Sequence, residues 1–359
     1  MASVLFESWR GRYADGPRAV SERLAELRPD LRRIWVTNGP GVELPAGVER
    51  VVRNTPRYFQ RLATARYFFA SDMMPRYPLK SRRTTYVQMW HGTPLKRIGF
   101  DVPDTQYAAN EVYLRRLERD VGRWDYLVSP SEFCTQMFRK AFRYDGQVLE
   151  TGYPRNDALS GPAAAGRRDE IRARLGIAPG TRAVLYAPTW RDDVLDANGR
   201  PVMSLELDAT RLVTSVSADT VLLLRFHQLV AGTVDVPQHP RVLDVSHHPD
   251  IKDLYLAADV LVTDYSSTMF DFAVTGRPMV FFAYDLAGYR DRLRGFYFDF
   301  EAEVPGPVVA RTDGVIEALD DLGTVTAAYA ERYAAFTSRF CPLEDGHATD
   351  RVIDAVLRG

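Results

Sequence analysis

Two histidines stand where the chain leaves an apolar run: His91 in "QMWHGTPLKR" (88–97) and His227 in "LLLRFHQ" (222–228). An imidazole changes charge near neutral pH, so two of them can act as base and acid, or steady charge, in phosphoryl transfer. Polar clusters accompany them. Gly92, Thr93, Lys96 and Arg97 follow His91, and "LETGYPRNDAL" (149–159) carries Arg155, Asn156 and Asp157. "LYAPTWRDD" (185–193) carries Thr189, Arg191 and Asp192, Arg225 precedes His227, and "VLVTDYSSTMFD" (260–271) carries Asp264, Ser266, Ser267 and Thr268. In the last cluster, hydroxyls open a helix, where unpaired N–H groups and partial positive charge favour a phosphate. Each piece has an ordinary alternative: a serine capping its helix, or a histidine with a structural hydrogen bond. Five clusters at successive strand ends exceed what capping requires.

The same inspection gives no metal site. The sequence contains no Asp-x-Asp pair, and adjacent Asp192 and Asp193 tend to point apart. Residues 251–300 hold no glutamate, so the Glu-x7-Glu pattern of many retaining glycosyltransferases is missing there. Asp264 and Asp271, seven apart, do not reproduce it.

The elements that would position these residues alternate. "LRRIWVT" (31–37), "RYFFA" (66–70), "TTYVQMW" (84–90) and "WDYLVS" (124–129) read as strands in the first half. Helices fit "PRAVSERLAELR", with Pro17 near its start, and "SEFCTQMFRKAF", with Ser131 as N-cap. In the second half "RAVLYAP" (182–188), "TVLLLRF" (220–226), "RVLDVS" (241–246), "DVLVTD" (259–264) and "RPMVFFA" (277–283) read as strands buried on both faces. Alternation of strand and helix implies parallel sheets with right-handed crossovers. The break falls in "SGPAAAGRRDE" (160–170). The reading is α/β: two Rossmann-like, doubly wound domains, residues 1–160 and 161–340, with a cleft between them and a terminal helix over 341–359. In such sheets ligands collect beyond the carboxyl ends of strands, where all the clusters fall.

A chain of 359 residues favours two domains, and its 46% hydrophobic and 26% charged residues are ordinary for a globular protein. Two cysteines, Cys134 and Cys341, make no disulfide framework and suit a reducing compartment. No apolar run spans a bilayer, and "MASVLFESWRGRYADG" has no signal-peptide layout. Residues 1–160 carry 26 Lys and Arg against 18 Asp and Glu, whereas the remainder carries 20 against 29. A basic half suits an anionic polymer, a membrane surface or nucleic acid, and equally an ordinary imbalance between domains. The stretch 57–83 mixes aromatics with arginines and could lie on an anionic bilayer; a helix followed by a buried strand explains it more simply.

Taken in order, "QMWHGTPLKRIGFD", "SPSEF", "TGYPRNDAL", "YAPTWRDD", "LRFH", "DIKDLYLAADVLVTDYSS" and "FDFAVTGRPMVFF" resemble the CDP-glycerol glycerophosphotransferase family of teichoic-acid primases and polymerases. The resemblance implies a GT-B-like fold with the nucleotide on the C-terminal domain. It also implies a reaction: a CDP-activated polyol phosphate, most simply glycerol phosphate, passes to a hydroxyl of a lipid-linked or polymer acceptor, and CMP leaves. By the same resemblance His91 and His227 are catalytic, and Arg191, Asp192, Ser266 and Ser267 hold the donor. His91 would be the base on the acceptor-side domain, with Lys96 and Arg97 attracting the anionic acceptor or diphosphate. "RFHQ" departs from the family pattern, which has proline after this histidine. The reading expects no cofactor beyond the CDP-polyol substrate, no metal and no nucleic acid. It expects a cytoplasmic protein peripheral to an anionic membrane. Two competing functions are a glycosyltransferase using a nucleotide-sugar and a non-catalytic module binding an anionic cell-wall polymer.

Overall fold

The computed structural model describes residues 2–74, 80–102, 110–161, 163–191, 194–227, 229–289 and 295–357. They form two compact units. The first comprises residues 1–93, 98–161 and 339–359, and the second residues 94–97 and 162–338. Chain order is therefore not unit order: four residues just after His91 belong with the second unit, and the C-terminal segment returns to the first.

The first unit is built on seven parallel strands. They are β1 (Ser3–Glu7), β2 (Arg32–Thr37), β3 (Val48–Val52), β4 (Tyr67–Ala70), β5 (Thr85–Gln88), β6 (Tyr126–Ser129) and β7 (Gln147–Glu150). Their spatial order is β3-β2-β1-β4-β5-β6-β7, so the winding reverses between β1 and β4. The central strand β1 buries Val4, Leu5 and Phe6 completely, and Phe6 stacks between Trp35 and Phe69 with centroids 5.7 Å from each. Apolar residues on both faces demand cover from helices on both sides. The helix Asp15–Leu27 supplies Val20 and Leu24 to one core, and the terminal helix Ala348–Leu357 adds Val352, Ile353 and Val356 to the same core. Ser131 caps the helix Glu132–Phe142, its hydroxyl accepting from Cys134 N at 3.3 Å. The stretch 57–83 folds in the simpler way. Phe68 and Phe69 are buried in β4, and Arg57 and Arg61 both pair with Glu49. Residues 75–79 lie outside the described ones.

The second unit holds six parallel strands: β8 (Arg182–Ala187), β9 (Thr220–Leu224), β10 (Val242–Asp244), β11 (Val260–Thr263), β12 (Met279–Phe282) and β13 (Val308–Val309). Their order is β10-β9-β8-β11-β12-β13, which reverses between β8 and β11. Val184, Leu222, Leu224, Val260, Val262 and Val280 are fully buried in one core. Both domains are thus doubly wound parallel α/β sheets.

Candidate active site

At the first switch point the chain ends of β1, β4 and β5 converge. Trp9, Ser71 and His91 lie just beyond them. His91 Nδ1 lies 3.0 Å from Ser71 O. A carbonyl only accepts, so Nδ1 carries the proton and Nε2 presents a lone pair. Among the described residues no hydrogen-bond partner meets Nε2. Burial lowers the His91 pKa below its usual value, outweighing the opposing pull of the Ser71 carbonyl, Asp15 and Asp72. The ring is therefore neutral at neutral pH and poised to take a proton.

Two indoles hold this imidazole. Trp90 stacks on it at 4.3 Å and 25°, and Trp9 approaches at 4.8 Å and 59°. Trp90 is itself wedged against Phe142, 4.6 Å away. Its backbone has φ of 50°, in the left-handed region that bulky residues avoid. A buried side chain sustains that turn: Gln88 Oε1 accepts from Trp90 N at 2.9 Å, while Gln88 Nε2 donates to Tyr86 OH at 3.2 Å. Arg155 secures the next bond, donating from Nη1 to His91 O at 2.7 Å and approaching Asp15 Oδ1 at 3.4 Å. Its guanidinium thus positions the histidine's backbone. Gly92 follows with φ of 149°, and buried Thr93 accepts from Cys134 Sγ at 3.5 Å.

Other expected site residues of this unit have structural duties. Asp157 caps the terminal helix, accepting from Ala348 N and Thr349 N at 2.9 and 2.7 Å. Asn156 is buried, 2% exposed. Lys96 and Arg97 belong to the second unit, whereas His91 belongs to the first. Lys96 forms an antiparallel bridge with Phe296, and its ammonium donates to Tyr289 OH at 3.1 Å. Arg97 N donates to Gly295 O. The proline of "HGTP" is where membership changes.

At the second switch point Thr189, Trp190 and Arg191 follow β8, and Asp264 to Ser267 follow β11. Arg191 is 6% exposed and grips two carboxylates. Its Nε and Nη2 reach Asp285 at 2.7 and 2.9 Å, and Nη1 reaches Asp264 at 2.9 Å. Its guanidinium also lies 4.8 to 5.2 Å from the rings of Tyr289, Tyr284 and Tyr265. Burial opposes its charge, but Asp264 and Asp285 more than compensate, and its pKa is raised. Asp264, 1% exposed, additionally accepts from Thr189 N at 2.8 Å. Arg191 and Asp264 therefore brace the switch point. Arg225 is similar, donating from Nη1 to the carbonyls of Val245, Ser246 and His248.

Hydroxyls are less committed. Thr189 Oγ1 is buried with no partner among the described residues. Ser267 occupies the N-cap of the helix Thr268–Ala273 without a side-chain cap bond. Ser266 Oγ accepts from Thr268 N at 3.3 Å, and Thr268 Oγ1 turns back to Thr263 Oγ1 at 3.3 Å. His227 is exposed and stacks on Trp190 at 5.9 Å and 27°. Its Nδ1 accepts from Leu229 N at 3.3 Å, so the neutral ring carries its proton on Nε2. The two histidines thus show opposite tautomers. Asp192 lies outside the described residues.

Sequence inspection missed Trp9, Ser71, Gln88, Asp285 and Tyr289. Ser71 and Asp285 follow strands that were recognised, so the strand-end rule could have found them. Trp9 follows β1, which was not recognised. Among the described residues no three His, Cys, Asp or Glu side chains gather as a metal site.

The fold and these strand-end sites define a two-domain α/β protein of the GT-B-like class. The chain belongs to the CDP-glycerol:poly(glycerophosphate) glycerophosphotransferase family, whose model matches residues 2–358. It is 40% identical to a teichoic acid glycerol-phosphate transferase of Staphylococcus aureus, covering 99% of this chain and 92% of the relative. It is 37% identical to a teichoic acid poly(glycerol phosphate) polymerase of Staphylococcus epidermidis, over 99% of this chain and 50% of that protein. The chain thus spans only half of that polymerase. The solved structure of the wall teichoic acid polymerase TagF superposes with a TM-score of 0.93 at 37% identity, covering 99% of this chain and 88% of that one. A histidine-to-asparagine variant of TagF soaked with CDPG superposes with a TM-score of 0.92 at 36% identity, with the same coverage.

Proposed function

We propose that the protein transfers glycerol phosphate from CDP-glycerol to a hydroxyl of a lipid-linked or polymeric acceptor in teichoic-acid-type polymer synthesis, releasing CMP. The observation that carries this reading is His91: a neutral imidazole at a switch point, with Nδ1–H fixed on a carbonyl and the Nε2 lone pair presented. The family and its glycerol-phosphate relatives supply the substrate class. In the step, Nε2 takes the proton of the acceptor hydroxyl. The oxygen then bonds to the phosphorus that bears glycerol, the bond from that phosphorus to the bridging oxygen breaks, and CMP departs with the electron pair. Thr189, Ser266, Ser267 and the Nε2–H of His227 serve the donor's phosphates.

The reading assigns no resident metal ion; charge on the phosphates is left to hydroxyls, N–H groups and His227. It also makes the protein peripheral to the cytoplasmic face of the membrane, because a lipid-linked acceptor is presented at a bilayer. Among the described residues no helix is long and apolar enough to cross one. The test is product analysis with CDP-glycerol, CDP-ribitol and a panel of nucleotide-sugars on a short glycerol-phosphate acceptor, with and without EDTA. CMP release from CDP-glycerol that survives EDTA is expected. UDP release from a nucleotide-sugar would establish the glycosyltransferase instead, and polymer binding with no nucleotide released would establish a binding module.

A further inference from the structure

Five non-glycine residues described here have positive φ, and three surround His91: Trp9 at 29°, Asp15 at 65° and Trp90 at 50°. Strain at bulky residues persists only where the surroundings impose it, and it gathers at functional sites. The purpose of Trp90 is plain, since it is buried and stacks on the imidazole. Trp9 is different. It touches the same imidazole, yet 41% of it remains exposed. Its conformation is built in by the following turn, where Gly11 has φ of 89° and a Cβ would lie 2.5 Å from Asn38 N. Holding an indole open to solvent beside a base is costly to the fold and contributes little to its core.

Asp15 adds the second half of the argument. It is 7% exposed, and its Oδ1 is used by Gly16 N and Arg155. Its Oδ2 is buried with no partner among the described residues. Arg155 links Asp15 directly to the backbone of His91. An open aromatic face on His91, and an unsatisfied carboxylate oxygen joined to the same residue through Arg155, suit a ligand with C–H faces and hydroxyl donors. A phosphate at the same place would meet the carboxylate's charge.

We propose that Trp9, with Asp15, forms the acceptor subsite: a neutral polyol or sugar unit at the acceptor's end stacks on the indole, donates a hydroxyl to Asp15 Oδ2, and directs its reacting hydroxyl to His91 Nε2. This deepens the proposed function and rests on it for the identity of the acceptor. Trp9 is then a binding residue for acceptor and has no part in holding the donor.

The test compares Trp9→Ala, Trp9→Phe and Trp9→Asn in the full chain. Asparagine tolerates the left-handed backbone and so keeps a folded protein without the aromatic face. Binding of synthetic tri(glycerol phosphate) and of CDP-glycerol is measured by calorimetry, and steady-state kinetics give the acceptor KM and the pH profile. Trp9→Ala and Trp9→Asn should weaken the oligomer and raise its KM by about tenfold, as expected for a lost aromatic stack. Trp9→Phe should recover most of this, while CDP-glycerol affinity and the acid limb of the profile stay at the wild-type values. Unchanged oligomer binding, or a loss confined to kcat with a displaced acid limb, would overturn the subsite and leave Trp9 as a prop for the imidazole. Absence of CMP release by the wild type would overturn the functional reading alone, because oligomer binding tests Trp9 without turnover.

Discussion

At the β1/β4 switch point the imidazole of His91 is enclosed by two indoles, its Nδ1 is tied to Ser71 O, and its Nε2 is presented. At the β8/β11 switch point the charged side chains are tied to one another. Arg191 joins Asp264 and Asp285, and His227, which stacks on Trp190 of that loop, is exposed. The same topology gathers polar residues at both places, yet one site offers a reactive atom and the other mainly a rigid frame carrying hydroxyls. Position at a strand end says where a side chain arrives. Its hydrogen-bond partners decide whether it is available for chemistry.

The largest effect expected from this contrast is at His91. His91→Ala should lower turnover by about 10²- to 10⁴-fold, the usual contribution of a general base, while donor affinity measured by calorimetry hardly changes. The pH profile sharpens the point. The base works unprotonated, so the rate falls as pH drops through its pKa. Burial sets that pKa below 6.5, and the acid limb of kcat/KM should have its midpoint below pH 6.5. A folded variant with wild-type turnover would make His91 an ordinary structural histidine and erase the difference between the two switch points.

Arg191 tests the opposite side. Arg191→Met leaves Asp264 buried and unpaired, and breaking a buried ion pair typically costs about 3–5 kcal/mol. The loss should appear in thermal or denaturant unfolding of the protein without ligand. Arg191→Lys should rescue little, because an ammonium cannot copy the paired contacts to Asp285. Unchanged unfolding together with a large loss of CDP-glycerol affinity would return Arg191 to direct donor binding, as the motif resemblance implied.

The alternation of apolar runs made nine of the thirteen strands among the described residues legible, because doubly buried parallel strands are continuous in sequence. β7 precedes the cluster "TGYPRND", which was placed at a strand end. β1 was not legible, although it is the centre of its sheet: "SVLFE" is brief, has no alternation, and lies where a leader would be sought. Losing β1 also hid Trp9. β3, with half-buried "VERVV", and two-residue β13 lack a distinct pattern. The site was legible as a set of strand ends but not as a set of partners. "WRDD" and "PRND" look alike as polar clusters, yet Arg191 braces a switch point and Asp157 caps a helix 191 residues further on. Such pairings are long-range packing facts, to which local spacing is blind. The membership of Lys96 in the second unit is of the same kind, since the change falls at Pro94, three residues after His91.

The smallest effect, and the finest discrimination, concerns Ser266 and Ser267. Both were expected to hold the donor, and as neighbours they would be taken for equals. Their hydrogen bonds separate them. Ser266 Oγ already accepts from Thr268 N, so Ser266→Ala removes a local bond that supports the start of the helix Thr268–Ala273. Ser267 makes no side-chain cap bond, so Ser267→Ala should leave unfolding within about 0.5 kcal/mol of wild type. Its hydroxyl is the freer to donate to a phosphate, and a hydrogen bond to a charged group contributes about 1.5–3 kcal/mol. Solvent reaches this half-buried position, which favours the lower end of that range, about a tenfold loss of CDP-glycerol affinity. Calorimetry with CDP-glycerol and a melting curve on each single variant separate the two roles. If Ser267→Ala binds donor as tightly as wild type, the hydroxyls at this end of β11 serve the fold alone. The second switch point would then hold its donor through Thr189, His227 and backbone N–H groups.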